Sequence, residues 1–168
     1  MQRRTFLATA LAAPLAACVE TAVKTFATLD AANLGLVELL KNPHRTTGAW
    51  NLGQVLEHVT QSIEYSMSGY PRKRSALFRA TAGTAAFTFF DLRGSMSHAL
   101  NEPIPGAPAL KDAEIGSAVA RLRDALGRFA AQKRGLKAHF AYGELTHEQY
   151  TRAHLMHLAN HWSEVVRA

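Results

Sequence analysis

The 168-residue chain is 48% apolar and 19% charged, which excludes a disordered or low-complexity protein and fits one folded domain with a sizeable core. Its single cysteine, Cys18, excludes an internal disulfide, a cysteine-rich zinc site and a cysteine nucleophile in the folded part. The formal charge is +6, but the basic cluster at Arg72, Lys73, Arg74 and Arg79 lacks interleaved aromatics, so it reads as a solvated face and nucleic acid is not an expected partner.

Residues 1–18 have the order of an export signal: Arg3–Arg4, an apolar run from Phe6 to Leu15, then small residues. The run is well short of the roughly 20 residues that a membrane span needs. The arginine pair followed by Thr5-Phe6-Leu7 resembles a twin-arginine signal, which passes folded cargo. Leu15-Ala16-Ala17-Cys18 resembles a bacterial lipobox, in which Cys18 becomes the lipidated first residue. The expectation is an exported protein, periplasmic or membrane-anchored as a lipoprotein, with residues 19–168 as its single domain. Cleavage before Cys18 leaves 17 basic against 13 acidic residues, since residues 1–17 hold two arginines and no acids.

From Glu20 to Lys41, Val23, Phe26, Leu34, Val37 and Leu40 recur mostly at three- and four-residue steps, which predicts an amphipathic helix ended by Asn42-Pro43. Residues 43–50 read as a loop. Asn51, with Gln54 three positions on, predicts the capping box of a second helix. Its inner stripe is Leu52, Val55, Leu56, Val59, Ile63 and Ser66, and His58 lies at the stripe's edge, facing a neighbouring helix or solvent. Gly69-Tyr70-Pro71 closes that helix.

Ser75–Leu92 predicts a third helix weakened at Gly83-Thr84, with a strand at Ala86–Leu92 as its rival. Residues 93–111, with Gly94, Pro103, Pro105, Gly106 and Pro108, read as a long loop, and such loops are often functional. Asp112 is the expected cap of a helix with a seam at Ile115, Val119, Leu122, Leu126 and Phe129, ending near Gly135. Thr146 and Gln149 form a second capping box, opening a final helix that runs to Val165. The fold class expected is all-α, a four-helix bundle with the long loop between its third and fourth major helices.

The final helix carries the chemistry. His154, His157 and His161 fall at intervals of three and four, so they share one face, and Tyr150 and Val165 extend that line. A bundle helix turns such a face inward, where a histidine must be hydrogen-bonded, ligate an ion or stay neutral at a cost. His157 and His161 are one turn apart, a spacing that lets two imidazoles share an ion, and His58 is the best third ligand. His154 could replace His161 or stand behind the ligands. The spacing leaves two uses open: ligation, or hydrogen-bonded and proton-sensing packing. His44, His98 and His147 read as ordinary satisfied or exposed residues. No serine-nucleophile elbow, phosphate-cradling glycine loop or paired-carboxylate arrangement stands out.

Four stretches carry a family resemblance: Trp50-Asn51-Leu52-Gly53-Gln54-Val55-Leu56-Glu57-His58, Gly69-Tyr70-Pro71, Pro103-Ile104-Pro105-Gly106-Ala107-Pro108, and His139-Phe140-Ala141-Tyr142-Gly143-Glu144-Leu145-Thr146 leading into the three histidines. Over roughly residues 22–166 the chain resembles the DinB-like superfamily of four-helix-bundle metal-binding proteins, and more closely its bacterial branch of unknown function. The resemblance implies a divalent metal, zinc or nickel, on His58, His157 and His161. It departs at Asn160-His161, where that branch often carries a His-His doublet. Some members of the superfamily are thiol-dependent transferases or hydrolases, which here implies metal-activated water or thiol, with His154, Glu144 and Tyr142 assisting proton transfer. The expected partners are a small-molecule substrate, the membrane through Cys18, and a second copy of the chain in a homodimer. The competing expectations are a metal- or ligand-binding bundle without chemistry, and a bundle whose histidines are structural.

Overall fold

The computed structural model describes residues 25–168. Arg3–Arg4, the lipobox-like Cys18 and the amino-terminal part of the first expected helix, Val23 included, lie outside the described residues. The structure is mostly helical: α1 (Leu29–Glu38), α2 (Leu52–Ser68), α3 (Ala76–Phe78), α4 (Thr84–Arg93), α5 (Ile115–Ala131) and α6 (His147–Trp162). Two short strands, β1 (His44–Thr46) and β2 (Val165–Arg167), pair antiparallel with His44 opposite Arg167. Among the described residues no helix is long and apolar enough to cross a membrane.

Three of these elements correct the sequence reading. Helix α1 begins only after its cap at Thr28, whose hydroxyl accepts from the Ala31 amide. Its buried face is Ala32, Leu36 and Leu39, whereas Leu34 and Leu40 are 72% and 51% exposed. Both registers have helical spacing, so periodicity alone could not choose between them. The cap of α5 is Glu114, whose carboxylate accepts from the Gly116 and Ser117 amides, both at 2.8 Å. Asp112 instead accepts from the Asn51 side-chain amide at 3.0 Å, tying the end of the loop to the start of α2. Finally, α6 stops at Trp162, and Val165 belongs to β2, whose partner β1 occupies the segment expected to be loop.

Both capping boxes are present, at Asn51/Gln54 and Thr146/Gln149. The expected inner stripe of α2 is fully buried and packs with the α5 seam of Val119, Leu122, Leu126 and Phe129. Ion pairs fasten the outer edge of that contact: Arg121 to Glu57 and Glu64, and Arg128 to Glu64. Residues 76–93 are helical throughout, without the rival strand, and a π-helical turn at Arg79–Gly83 falls at the weak point. Gly83 is required there because a Cβ would overlap the Ala141 carbonyl oxygen. That close approach seats the 139–143 turn on the π segment. On the other side of α6, Phe87 and Met96 pack on Ala153 and Met156, and Arg152 holds Asp91 with two hydrogen bonds of 2.5 and 2.9 Å. Helix α6 is therefore packed on both sides among the described residues, and His154, His157 and His161 on it are buried.

Candidate metal centre

Helix α2 supplies His58 and helix α6 supplies His157 and His161. The ring centroids lie 5.1 Å (His58–His157), 4.9 Å (His58–His161) and 4.9 Å (His157–His161) apart. One ligand nitrogen from each ring falls within 4.8 Å of the others. Nitrogens about 2.1 Å from a tetrahedral ion are roughly 3.4 Å apart, so small ring rotations close the set. His58 thus faces its neighbouring helix and not solvent, the alternative that spacing left open. Trp50 backs the cluster, its ring 6.2 Å from His161 at an interplanar angle of 13° and 5.0 Å from His58. The Trp50 carbonyl accepts from Thr46 Oγ1, so β1 helps to fix that wall.

The hydrogen-bond inventory tests whether these residues suit a cation. His161 is fully buried, yet neither of its ring nitrogens has a hydrogen-bond partner, and His58 Nδ1 has none either. Buried polar nitrogens without partners are costly, and a shared cation would satisfy one nitrogen of each ring. Charge points the same way. Burial, then His98, lowers His58 to about 4, while burial, then His58 and His98, lowers His161 to about 2. His157 falls well below its ordinary value through burial and then the neighbouring imidazoles. All three are neutral at physiological pH, the protonation state that ligates.

His98, which the sequence placed among ordinary histidines, belongs to this region. Its ring lies 5.0 Å from His157 and 5.3 Å from His161. Its Nδ1 donates to the Ala99 carbonyl at 2.8 Å, leaving Nε2 as the lone-pair nitrogen. Asn160 anchors the segment: with its amide oriented to suit its neighbours, it donates to the Met96 carbonyl and accepts from the His98 amide, each at 3.3 Å. No periodic signal could have identified His98, because it sits in the loop and meets α6 only through tertiary packing.

A cavity of about 170 Å³ adjoins the cluster, and its lining includes His58 and His157 together with His139, His154 and Tyr142. Its charged lining residues, Arg74 and Glu102, are solvent-exposed. The loop contributes Met96, His98 and Ile104, so part of the 93–111 segment roofs the cavity. Of the expected assisting residues, His154 lines the cavity and bonds to Ser66 through Nε2 at 3.1 Å. Tyr142 also lines it, stacked on His139 with centroids 4.3 Å apart, its hydroxyl pushed up to about 12 by burial. Glu144 is exposed and is not part of the lining. His44 and His147 bond to the carbonyls of Asn42 and Phe129, as expected of ordinary histidines.

No curated protein and no solved structure matches the chain. Residues 21–168 match the family described as a protein of unknown function, DUF1569, and the chain belongs to that family.

Proposed function

We propose that this DUF1569 chain is a DinB-like four-helix bundle that holds a divalent metal, zinc or nickel, on His58, His157 and His161, and turns over a small molecule in the adjoining cavity. The observation that carries the reading is His161, fully buried with both ring nitrogens unpartnered inside a trio of neutral imidazoles. Three protein ligands leave room in the coordination shell, the pattern of a reactive and not a purely structural site. When bound, the ion would supply Lewis acidity to water or a thiol, which suits hydrolysis or group transfer. The chain's own part is to keep the imidazoles neutral, to exclude bulk water with the 93–111 loop, and to orient the bound molecule.

A second reading, metal or ligand binding without chemistry, is favoured by the state of the tyrosines. The Tyr70 and Tyr150 hydroxyls donate to the Ser62 and Lys137 carbonyls, at 3.1 and 2.7 Å, and burial pushes the Tyr142 hydroxyl up to about 12, so none of the three readily gives up its proton. Elemental analysis of the purified chain, produced without a histidine tag, tests what both readings share. About one metal equivalent is expected, lost in the His58→Ala/His157→Ala/His161→Ala variant while its far-ultraviolet circular dichroism persists. A wild type that takes up no zinc or nickel after loading removes the metal reading.

The amino-terminal segment adds export and a lipid anchor at Cys18 to this proposal. Cys18→Ser is expected to move the protein from the membrane fraction to the soluble periplasmic fraction. Retention of the variant in the membrane fraction would remove the anchor.

A further inference from the structure

We propose that His139 and His154, which line the same cavity, recognise a neutral carboxamide-type head group there. This deepens the reading above by naming what the cavity holds, and it rests on that cavity being a ligand site. His139 Nδ1 accepts from the amides of Ala141 and Tyr142, both at 3.1 Å. A nitrogen that accepts two N–H groups carries no proton, so His139 is the neutral Nε2–H tautomer. The 139–143 turn fixes that choice: His139 and Gly143 exchange backbone hydrogen bonds of 2.8 and 3.3 Å, and Gly143 takes a φ of +83° that glycine adopts without strain. With Nδ1 occupied, Nε2–H is the group left for the cavity.

His154 is fixed in the opposite sense. The Ser66 hydroxyl lies 2.6 Å from the Ile63 carbonyl, a separation that requires its hydrogen between them. Ser66 Oγ can then only accept from His154, so His154 carries its proton on Nε2 and keeps a lone pair on Nδ1. That Nδ1 is the nitrogen left for the cavity. One imidazole therefore offers a donor and the other an acceptor. A carboxamide satisfies both, its oxygen accepting from His139 and its N–H donating to His154. A carboxylate sets negative charge against the His154 lone pair, and an ammonium sets its hydrogens against the His139 N–H. The cavity's own charges, Arg74 and Glu102, are solvent-exposed and opposite in sign, so they favour neither ion. Of the lining tyrosines, Tyr150 has its proton committed to the Lys137 carbonyl, and Tyr142 is stacked on the His139 ring. Met96, Ile104, Phe140 and Ala153 give the cavity walls that suit a hydrocarbon body.

The test uses the ¹⁵N-labelled full chain with benzamide, benzoate and benzylammonium as matched probes, first chelated and then zinc-loaded, because a carboxylate can bind zinc directly. Long-range ¹⁵N–¹H spectra are expected to show His139 and His154 both protonated on Nε2. In the chelated protein benzamide is expected to bind about tenfold more tightly than either ion, the worth of one well-made hydrogen bond and one avoided mismatch. Ser66→Ala frees the His154 tautomer, and should erase most of that preference while leaving the His139 signals and the zinc content unchanged. Benzoate or benzylammonium binding as tightly as benzamide to the chelated protein, or a proton on His139 Nδ1, would overturn the proposal. One zinc equivalent with no amide preference would sink this inference alone. An intact amide preference with no zinc uptake would support it and sink the metal centre alone.

Discussion

Replacing His161 by leucine is expected to stabilise the chelated protein by about 1–3 kcal/mol, the penalty released when a buried, unpartnered polar group is exchanged for an apolar one of similar size. Both nitrogens of His161 are without partners, and the neighbouring Trp50 ring would pack on leucine as readily as on imidazole. Zinc reverses the sign. At a concentration about 100 times its dissociation constant, a ligand that binds only the folded state stabilises it by about 2.7 kcal/mol, and the variant forfeits that gain. Urea unfolding of wild type and His161→Leu, each with chelator and with zinc, gives the four stabilities needed. If His161 were simple packing, leucine would shift both conditions equally. A variant less stable than wild type under chelation would show that the imidazole serves the fold itself.

The parts of this site that were legible in the sequence are those set by a single helix. The i, i+4 step of His157 and His161 needs only helical geometry, and both capping boxes fix where their helices begin. His58 was legible only halfway. Its angular position was clear, but which neighbour it faced depended on how α2 and α6 cross. His98 and His139 lie outside the long helices and gain their meaning from a loop folded over α6 and from a five-residue turn whose amides hold an imidazole. The misplaced features share one cause: competing local solutions of similar energy. Asp112 is the better cap by residue type, but tertiary packing gave it to Asn51, and the Glu114 carboxylate reaches the Gly116 and Ser117 amides instead. The 44–46 and 165–167 segments become strands only because each finds the other across the chain.

Acid is expected to unfold the chelated protein near pH 5, over a narrow range. His58 is lowered to about 4, His139 and His154 to about 3 and His161 to about 2, with burial the largest cause in each, and His157 and His98 are lowered in the same direction. A histidine whose folded value lies below its unfolded 6.5 binds more protons when unfolded, so stability is complete above pH 6.5 and falls as pH drops toward the folded value. Each group costs about 1.4 kcal/mol per pH unit in that window. One unit below 6.5, His58, His139, His154, His157 and His161 alone therefore remove on the order of 7 kcal/mol, comparable with the whole stability of a small domain, and His98 adds in the same direction. The number of protons taken up at the midpoint distinguishes the three clustered histidines from the others. Replacing His58, His157 and His161 together should cut the uptake by about three protons, because His98, His139 and His154 still titrate. Saturating zinc should move the midpoint to lower pH in wild type alone, since protons must then displace the ion from its ligands. Unfolding that is flat from pH 7 to 4, followed by circular dichroism, would mean that these imidazoles are charged or solvated in the folded chain, and the neutral-ligand basis of the metal centre would fall with it.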